Sequence, residues 1–157
     1  MNSITSPVTI RKSEARTEIR EILARLMKDI SAFRDAESGM YWQVVDQPGR
    51  TGNYLETSGS AMVAYAMLKA ARLGILPASF AELGRGTVSG ILSRYASFED
   101  GQMELGGICL VAGLGPEKDR RRDGSFEYYI SEPVVRNDAK GVAPVLLSFA
   151  ELLRSED

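Results

Sequence analysis

The chain has 157 residues, 44% apolar and 25% charged, with a formal net charge of −2. That is one domain's worth of globular, not disordered, polypeptide, and its charge balance gives no reason to expect nucleic acid or an anionic membrane as a partner. Histidine is absent, which removes Ser-His-Asp and Cys-His nucleophile systems, the HExxH zinc site and histidine as a general base.

Any acid–base chemistry must therefore rest on carboxylates, Tyr or Lys, and neither a cofactor nor a metal is expected. Cys109 is the sole cysteine, so no intrachain disulfide forms. Its apolar neighbours Ile108 and Leu110 mark it as a buried structural thiol. Met1–Ile10 is polar and lacks the apolar core of a signal peptide. The longest apolar stretch, Gly59–Ala71, is well short of the ~20 residues needed to cross a bilayer. A soluble, cytoplasmic protein is expected.

In chain order, residues 1–12 read as a flexible leader and 13–157 as the folded part. From Ser13 to Asp35, Ile19, Ile22, Leu23, Leu26, Met27, Ile30 and Phe33 recur at helical spacing. Glu18, Glu21, Arg25 and Lys28 form the opposite, wet side of this outer helix. Ser38-Gly39 turns into a strand over Tyr41–Asp46, which Pro48-Gly49 breaks. A second helix starts near Thr57 or Ser58, either of which can cap it, and stops at Gly74 with Pro77 beyond. Ser79 and Glu82 form a capping box for a third helix. That helix contains Gly84, Gly86 and Gly90, each costing up to about 1 kcal/mol relative to alanine, so it should be the weakest.

Asp100-Gly101 opens a second strand unit. The charged Gly115–Gly124 insertion is expected to be mobile, with Arg120-Arg121-Arg122 as a solvated run. The last helix is expected to begin at Pro144, a residue best tolerated at the first helical position. The runs Gly59–Ala71 and Pro144–Leu153 lack a polar face, and a helix apolar all round must be enclosed. Two such helices, each preceded by a β-like segment and a polar aromatic loop, point to the inner helices of an all-α toroid built from αα-hairpin repeats.

Four segments carry a family resemblance: Met40-Tyr41-Trp42-Gln43-Val44-Val45-Asp46, Asn53-Tyr54-Leu55-Glu56-Thr57-Ser58, Val111-Ala112-Gly113-Leu114-Gly115, and Asp123-Gly124-Ser125-Phe126-Glu127-Tyr128-Tyr129-Ile130-Ser131-Glu132-Pro133. In this order they resemble the C-terminal signature of glycoside hydrolase family 105. These are the unsaturated rhamnogalacturonyl hydrolases, related to the family 88 unsaturated glucuronyl hydrolases. The resemblance covers about Ser13 to Leu153.

It implies part of an (α/α)6 barrel, with about four helices in two αα-hairpin repeats and short β segments in the loops. The implied substrate is an unsaturated uronyl oligosaccharide derived from pectin. An aspartic acid of the family protonates the C4=C5 double bond, water adds at C5, and the hemiketal opens to expel the next sugar. The family's catalytic aspartates and its Trp-x-Arg-Gly-Asn-Gly-Trp segment belong to an N-terminal half that has no counterpart here. No catalytic residue can be carried over, and the chain resembles the C-terminal part alone, inactive by itself. The alternatives are a non-catalytic carbohydrate-binding remnant, or half of a split enzyme that needs an N-terminal partner.

Candidate substrate-binding residues sit in the loops. Trp42 either stacks on a sugar ring or packs between strand and helix. Glu56, Thr57 and Ser58 precede the first inner helix, and Asp138 and Lys140 precede the second, where helix N-termini favour anions such as a uronate. Thr57 and Ser58 are equally ordinary helix caps. Gly113 lets backbone approach a ligand or simply makes a turn. If its segment is extended, Tyr129 lies on the opposite face from Tyr128. Uncovered inner helices also predict self-association or a partner chain, with Val63, Met67, Leu146 and Phe149 near the contact.

Overall fold

The computed structural model describes residues 7–115 and 121–154, with side chains from Glu14 onward. The first part of the expected leader and residues 116–120 of the charged insertion lie outside the described residues. Helix α1 (Pro7–Ser31) belongs to a unit separate from Phe33 and beyond. It starts inside the segment read as a leader, with proline at its first helical position, where the missing N–H costs nothing. Its charged residues Glu18, Glu21, Arg25 and Lys28 are exposed, and so are Ile19, Ile22 and Leu26 of the apolar stripe.

The second unit is organised around α2 (Thr57–Arg72), which packs on both α3 (Ser79–Tyr95) and α5 (Ala139–Arg154). α2 and α3 form a helical hairpin through the link that holds Gly74 and Pro77. Gly74 has φ +65° and no neighbour around its Cβ position, the left-handed helix stop that glycine suits. Three two-stranded antiparallel ribbons lie in the loops: β1 (Tyr41–Trp42) with β2 (Leu55–Glu56), β3 (Ala96–Glu99) with β4 (Gln102–Leu105), and β5 (Ile108–Cys109) with β6 (Val134–Val135). A short helix, α4 (Phe126–Ser131), precedes β6. The core joins Met40 and the ribbon residues Leu55, Leu105 and Ile108 to Ala61 of α2, Ile91 of α3 and Val145 of α5.

Several expectations need correction. The Tyr41–Asp46 segment pairs as a strand only over Tyr41–Trp42. Tyr128 and Tyr129 are helical, not extended, because Ser125 Oγ caps α4 by accepting the Tyr128 N–H at 3.1 Å. α5 begins at Ala139, and Pro144 lies inside it. Asp138 Oδ1 accepts the Lys140 N–H at 2.9 Å, so the helix is already capped before the proline, whose missing donor removes only one later bond. Asp100-Gly101, both at positive φ (51° and 77°), make the tight turn of a β3–β4 hairpin of the kind that type I′ turns favour.

The capping box at Ser79 does not form, since the position before α3 is Ala78 with no side-chain cap. Nor are the glycines of α3 idle. A Cβ at Gly84 would stand 2.8 Å from Leu68 Cγ and 3.1 Å from the Ala64 carbonyl. One at Gly90 would overlap the Ser38 carbonyl oxygen. Helix propensity is given up so that α2 and the Ser38 turn can approach the α3 backbone.

Burial of the two apolar runs differs. In α2, Ser60, Ala61, Ala64, Met67, Leu68 and Ala70 are buried, but Met62 is exposed, so the helix is not enclosed on every side. α5 buries only one face, made of Gly141, Pro144, Val145, Ser148 and Glu151. Leu146, Leu147 and Leu153 on the other side are exposed. Of the residues expected near a contact, Leu146 is open to a partner, whereas Met67 is wholly buried within the chain. No helix among the described residues is long and apolar enough to cross a membrane.

Candidate functional site

The β1–β2 and β5–β6 ribbons meet at the N-terminus of α2, and Glu56 ties them together. It occupies the position before the helix and is only 5% exposed. Oε2 accepts the Gly59 N–H at 2.6 Å; Oε1 accepts the Ser58 N–H at 3.0 Å, the Ser58 hydroxyl at 2.8 Å and the Cys109 N–H of β5 at 3.0 Å. The cap is therefore Glu56, not Thr57 or Ser58. A glutamate stem is long enough to turn back on the helix and still reach the neighbouring ribbon. Its charge faces the positive end of the helix dipole.

Thr57 is fully buried, donating its N–H to the Gly107 carbonyl and its hydroxyl to the Gly106 carbonyl, both at 2.8 Å. Ser60 fastens β1, accepting the Tyr41 N–H at 2.9 Å. Beside this cap, Cys109 is buried and accepts from Gln43 Nε2 at 3.4 Å. Burial holds the Tyr54 phenol well above its ordinary pKa, with the Cys109 thiol adding to the effect. Burial likewise raises Tyr41, opposed by the Arg34 guanidinium. Tyr54 and Tyr41 are thus held neutral.

Trp42 lies at the edge of an open cleft of about 630 Å³ lined also by Arg34, Asp35, Ser38, Ser89 and Arg94. Of the expected site residues, Trp42 alone lines it. Asp35 holds the turn, its Oδ2 accepting the Ser38 N–H at 2.8 Å and hydroxyl at 2.6 Å. Those bonds, that from the hydroxyl first, depress the Asp35 pKa. Arg34 donates to Thr87 Oγ1 at 3.2 Å. Gly39 and Gly86 leave room for its guanidinium, which a Cβ at either would strike.

The remaining expected residues form two further groups. Gly113 is bonded through both its N–H and its carbonyl to the Tyr128 hydroxyl, at 3.2 and 3.0 Å. The half-buried Tyr129 ring lies against that of Tyr128, centroids 5.2 Å apart. Asp138 and the exposed Lys140 pair with each other at 2.6 Å. That hydrogen bond, with the backbone bond from the same residue, lowers the Asp138 pKa. α4 is fastened to the Trp42 loop by Arg50, which pairs with Glu127 at 2.5 Å and stands 3.7 Å above the Phe126 ring. Arg121, read from sequence as part of a solvated run, pairs with the buried Glu132 at 3.1 Å.

The model of Glycosyl Hydrolase Family 88 matches residues 9–156. The chain belongs to this family. It is 43% identical to Protein Atu3128 of Agrobacterium fabrum, over 98% of this chain and 67% of that protein. Identity to the 24.9 kDa protein in the picA locus of Rhizobium radiobacter is also 43%, over the same shares. A family 105 glycoside hydrolase of Clostridium acetobutylicum superposes with a TM-score of 0.85 at 41% identity, over 92% of this chain and 40% of that one. A possible family 105 member from Klebsiella pneumoniae matches with a TM-score of 0.72 at 24% identity, over 33% of its chain. The chain is thus a partial α/α toroid that spans well under half the length of these solved structures.

Within this family 88 member, sequence reasoning missed Arg34 and Arg94 in the cleft and how Gln43, Tyr54 and Cys109 group behind the cap, though Cys109 is buried as expected. Arg34 follows an amphipathic stripe and looks like any helix-end arginine. Its bond to Thr87, 53 residues away, leaves no local signal. The Met40–Asp46 and Asn53–Ser58 segments did contain most of the second group.

Proposed function

We propose that the chain forms the C-terminal wall of a saccharide site of the unsaturated uronyl hydrolase type, and that it does not turn substrate over by itself. The substrate class is an unsaturated uronyl oligosaccharide from pectin, met in the cytoplasm, and the reaction is hydration of the C4=C5 double bond. The observation that carries this reading is the match of nearly the whole chain to a family whose solved member is more than twice its length.

The chain's own residues divide by what they leave free. Glu56 and Thr57 have their polar groups engaged in shaping the α2 terminus, so they act as positioning residues. Trp42, Tyr129 and Lys140 retain exposed surface. An aromatic face suits a sugar ring, and an ammonium suits a uronate. Gly113, Ser58 and Asp138 hold the loops that present them.

The test is to incubate the purified chain with unsaturated galacturonyl-rhamnose and follow the ultraviolet absorbance of the double bond. The absorbance is expected to stay constant. Turnover that tracks this protein through repurification would overturn the reading.

A further inference from the structure

The cleft beside Trp42 is lined by two arginines that have no ion-pair partner among the described residues. Arg34 comes from the turn that ends in Gly39. Its Nε donates to Thr87 Oγ1, and that hydroxyl in turn donates to the Gly39 carbonyl at 2.7 Å. The stem is thereby fixed, while the terminal nitrogens bond nothing among the described residues. Arg94 enters from α3; it is exposed and stands 5.6 Å from the Tyr95 ring centroid. On the same helix, the exposed Ser89 and Ser93 line the cleft, and their hydroxyls make no hydrogen bond among the described residues. A guanidinium set in place without a carboxylate is a ready contact for one.

Asp35 and Glu37 line the cleft as well, and they decide which anion suits it. Two positive charges face two negative ones, so a doubly charged phosphate ester gains little net attraction. A single carboxylate among hydroxyls fares better: the arginines take the carboxylate, and the serines and Glu37 take the hydroxyls. At about 630 Å³ the cleft has the size of a small-ligand site. Asp35 accepts two bonds from Ser38, which keep its carboxyl ionised, so this half-buried acid supplies no proton. We propose that the cleft is a binding subsite for a saturated uronate unit, with Arg34 and Arg94 on its carboxylate, Trp42 against its ring, and Ser89 and Ser93 on its hydroxyls. It selects oligosaccharides that carry a second uronate besides the unsaturated one. This rests on the saccharide reading of Trp42 and is independent of hydrolysis.

The test titrates the chain, at constant ionic strength, with methyl galacturonide, methyl galactoside and galactose 6-phosphate, read by Trp42 emission. Arg94→Gln removes one carboxylate contact without breaking a hydrogen bond. Arg136→Gln, an exposed arginine paired with Glu99, controls for general charge. The galacturonide should bind at least about tenfold more tightly than the galactoside, the scale of one hydrogen bond to a charged group. Arg94→Gln should abolish that preference and Arg136→Gln should keep it. Equal affinity for the two glycosides, or a preference that survives in Arg94→Gln, overturns the carboxylate contact and leaves a sugar on Trp42 in place. Tighter binding of the phosphate ester overturns the choice of a single carboxylate. No response to any of the three overturns the subsite together with the Trp42 reading. Failure of the hydrolase reading shows differently, as turnover of the unsaturated disaccharide by the chain itself.

Discussion

Glu56 and Cys109 are 53 residues apart in sequence, yet Cys109 donates its backbone N–H to Glu56 Oε1 at 3.0 Å. One carboxylate thereby both starts α2 and holds β5 against it. A buried acceptor shared among backbone donors is costly to delete, because each orphaned donor loses about 1–3 kcal/mol. Glu56→Ala strands the N–H groups of Ser58, Gly59 and Cys109. It should destabilise the chain by on the order of 3 kcal/mol or more, with Glu56→Gln intermediate. Urea unfolding at constant slope reads this directly. A Glu56→Ala midpoint equal to the parent's would remove Glu56 from its central place.

Gly90 sets two effects against each other. Alanine would gain up to about 1 kcal/mol of helix propensity, but its Cβ meets the backbone carbonyl of Ser38, which cannot rotate away. Overpacking against backbone should win, giving a net loss of about 2 kcal/mol. Gly74→Ala, where no atom is near but φ is +65°, should lose only about 1 kcal/mol. Thermal or urea unfolding that ranks the two in the reverse order would mean the Ser38 turn yields freely.

Arg72 and Glu151 predict a pH dependence. The hydrogen bond from Arg72, reinforced by the charges of Arg72 and Arg154 against burial, lowers the Glu151 pKa below its ordinary 4.5. A depressed folded-state pKa contributes stability that is present above the unfolded value and lost as pH falls through the folded one. The stability difference between the parent and Glu151→Gln should therefore be full at neutral pH and shrink below about pH 4.5. Arg72 keeps some solvent contact, so the neutral-pH difference should be on the order of 1–3 kcal/mol, short of a fully buried pair. A difference that stays flat between pH 7 and about pH 3 would deny Glu151 this role.

Trp42 is the only tryptophan in the chain, so its fluorescence reports on the cleft alone. Titration of the chain with an unsaturated uronyl disaccharide should shift or quench the emission. Replacing the indole by alanine should weaken binding, read by calorimetry, by about tenfold, the scale of one aromatic contact. Unchanged emission at saturating saccharide would place the sugar elsewhere.

Much of the fold could be read from residues because its signals are local. The apolar run after Ser58 and the Gly74–Pro77 stop locate α2 within a residue or two. The long-range features could not be read this way. Cap preferences favour Ser or Thr before a helix, and only the contact with Cys109 reveals why Glu56 takes that place. Glycines in α3 look like weaknesses until α2 and the Ser38 turn are seen pressed against them. Tyr128-Tyr129 lies in a segment too short for periodicity to separate strand from helix, and the Ser125 cap decides it. The site followed the same division. Trp42 was singled out by its type and lines a cleft, whereas Arg34 and Arg94 reach that cleft only through tertiary packing.

The proposed function makes this chain one part of a ring whose remainder supplies the proton donor. The deciding measurement is turnover of unsaturated galacturonyl-rhamnose by the chain alone and by a chimera in which the unmatched N-terminal part of the Clostridium acetobutylicum enzyme precedes it, followed by loss of the double-bond absorbance. No change is expected with the chain and steady loss with the chimera. Turnover by the chain alone, or a folded chimera that leaves the substrate untouched, would overturn that reading.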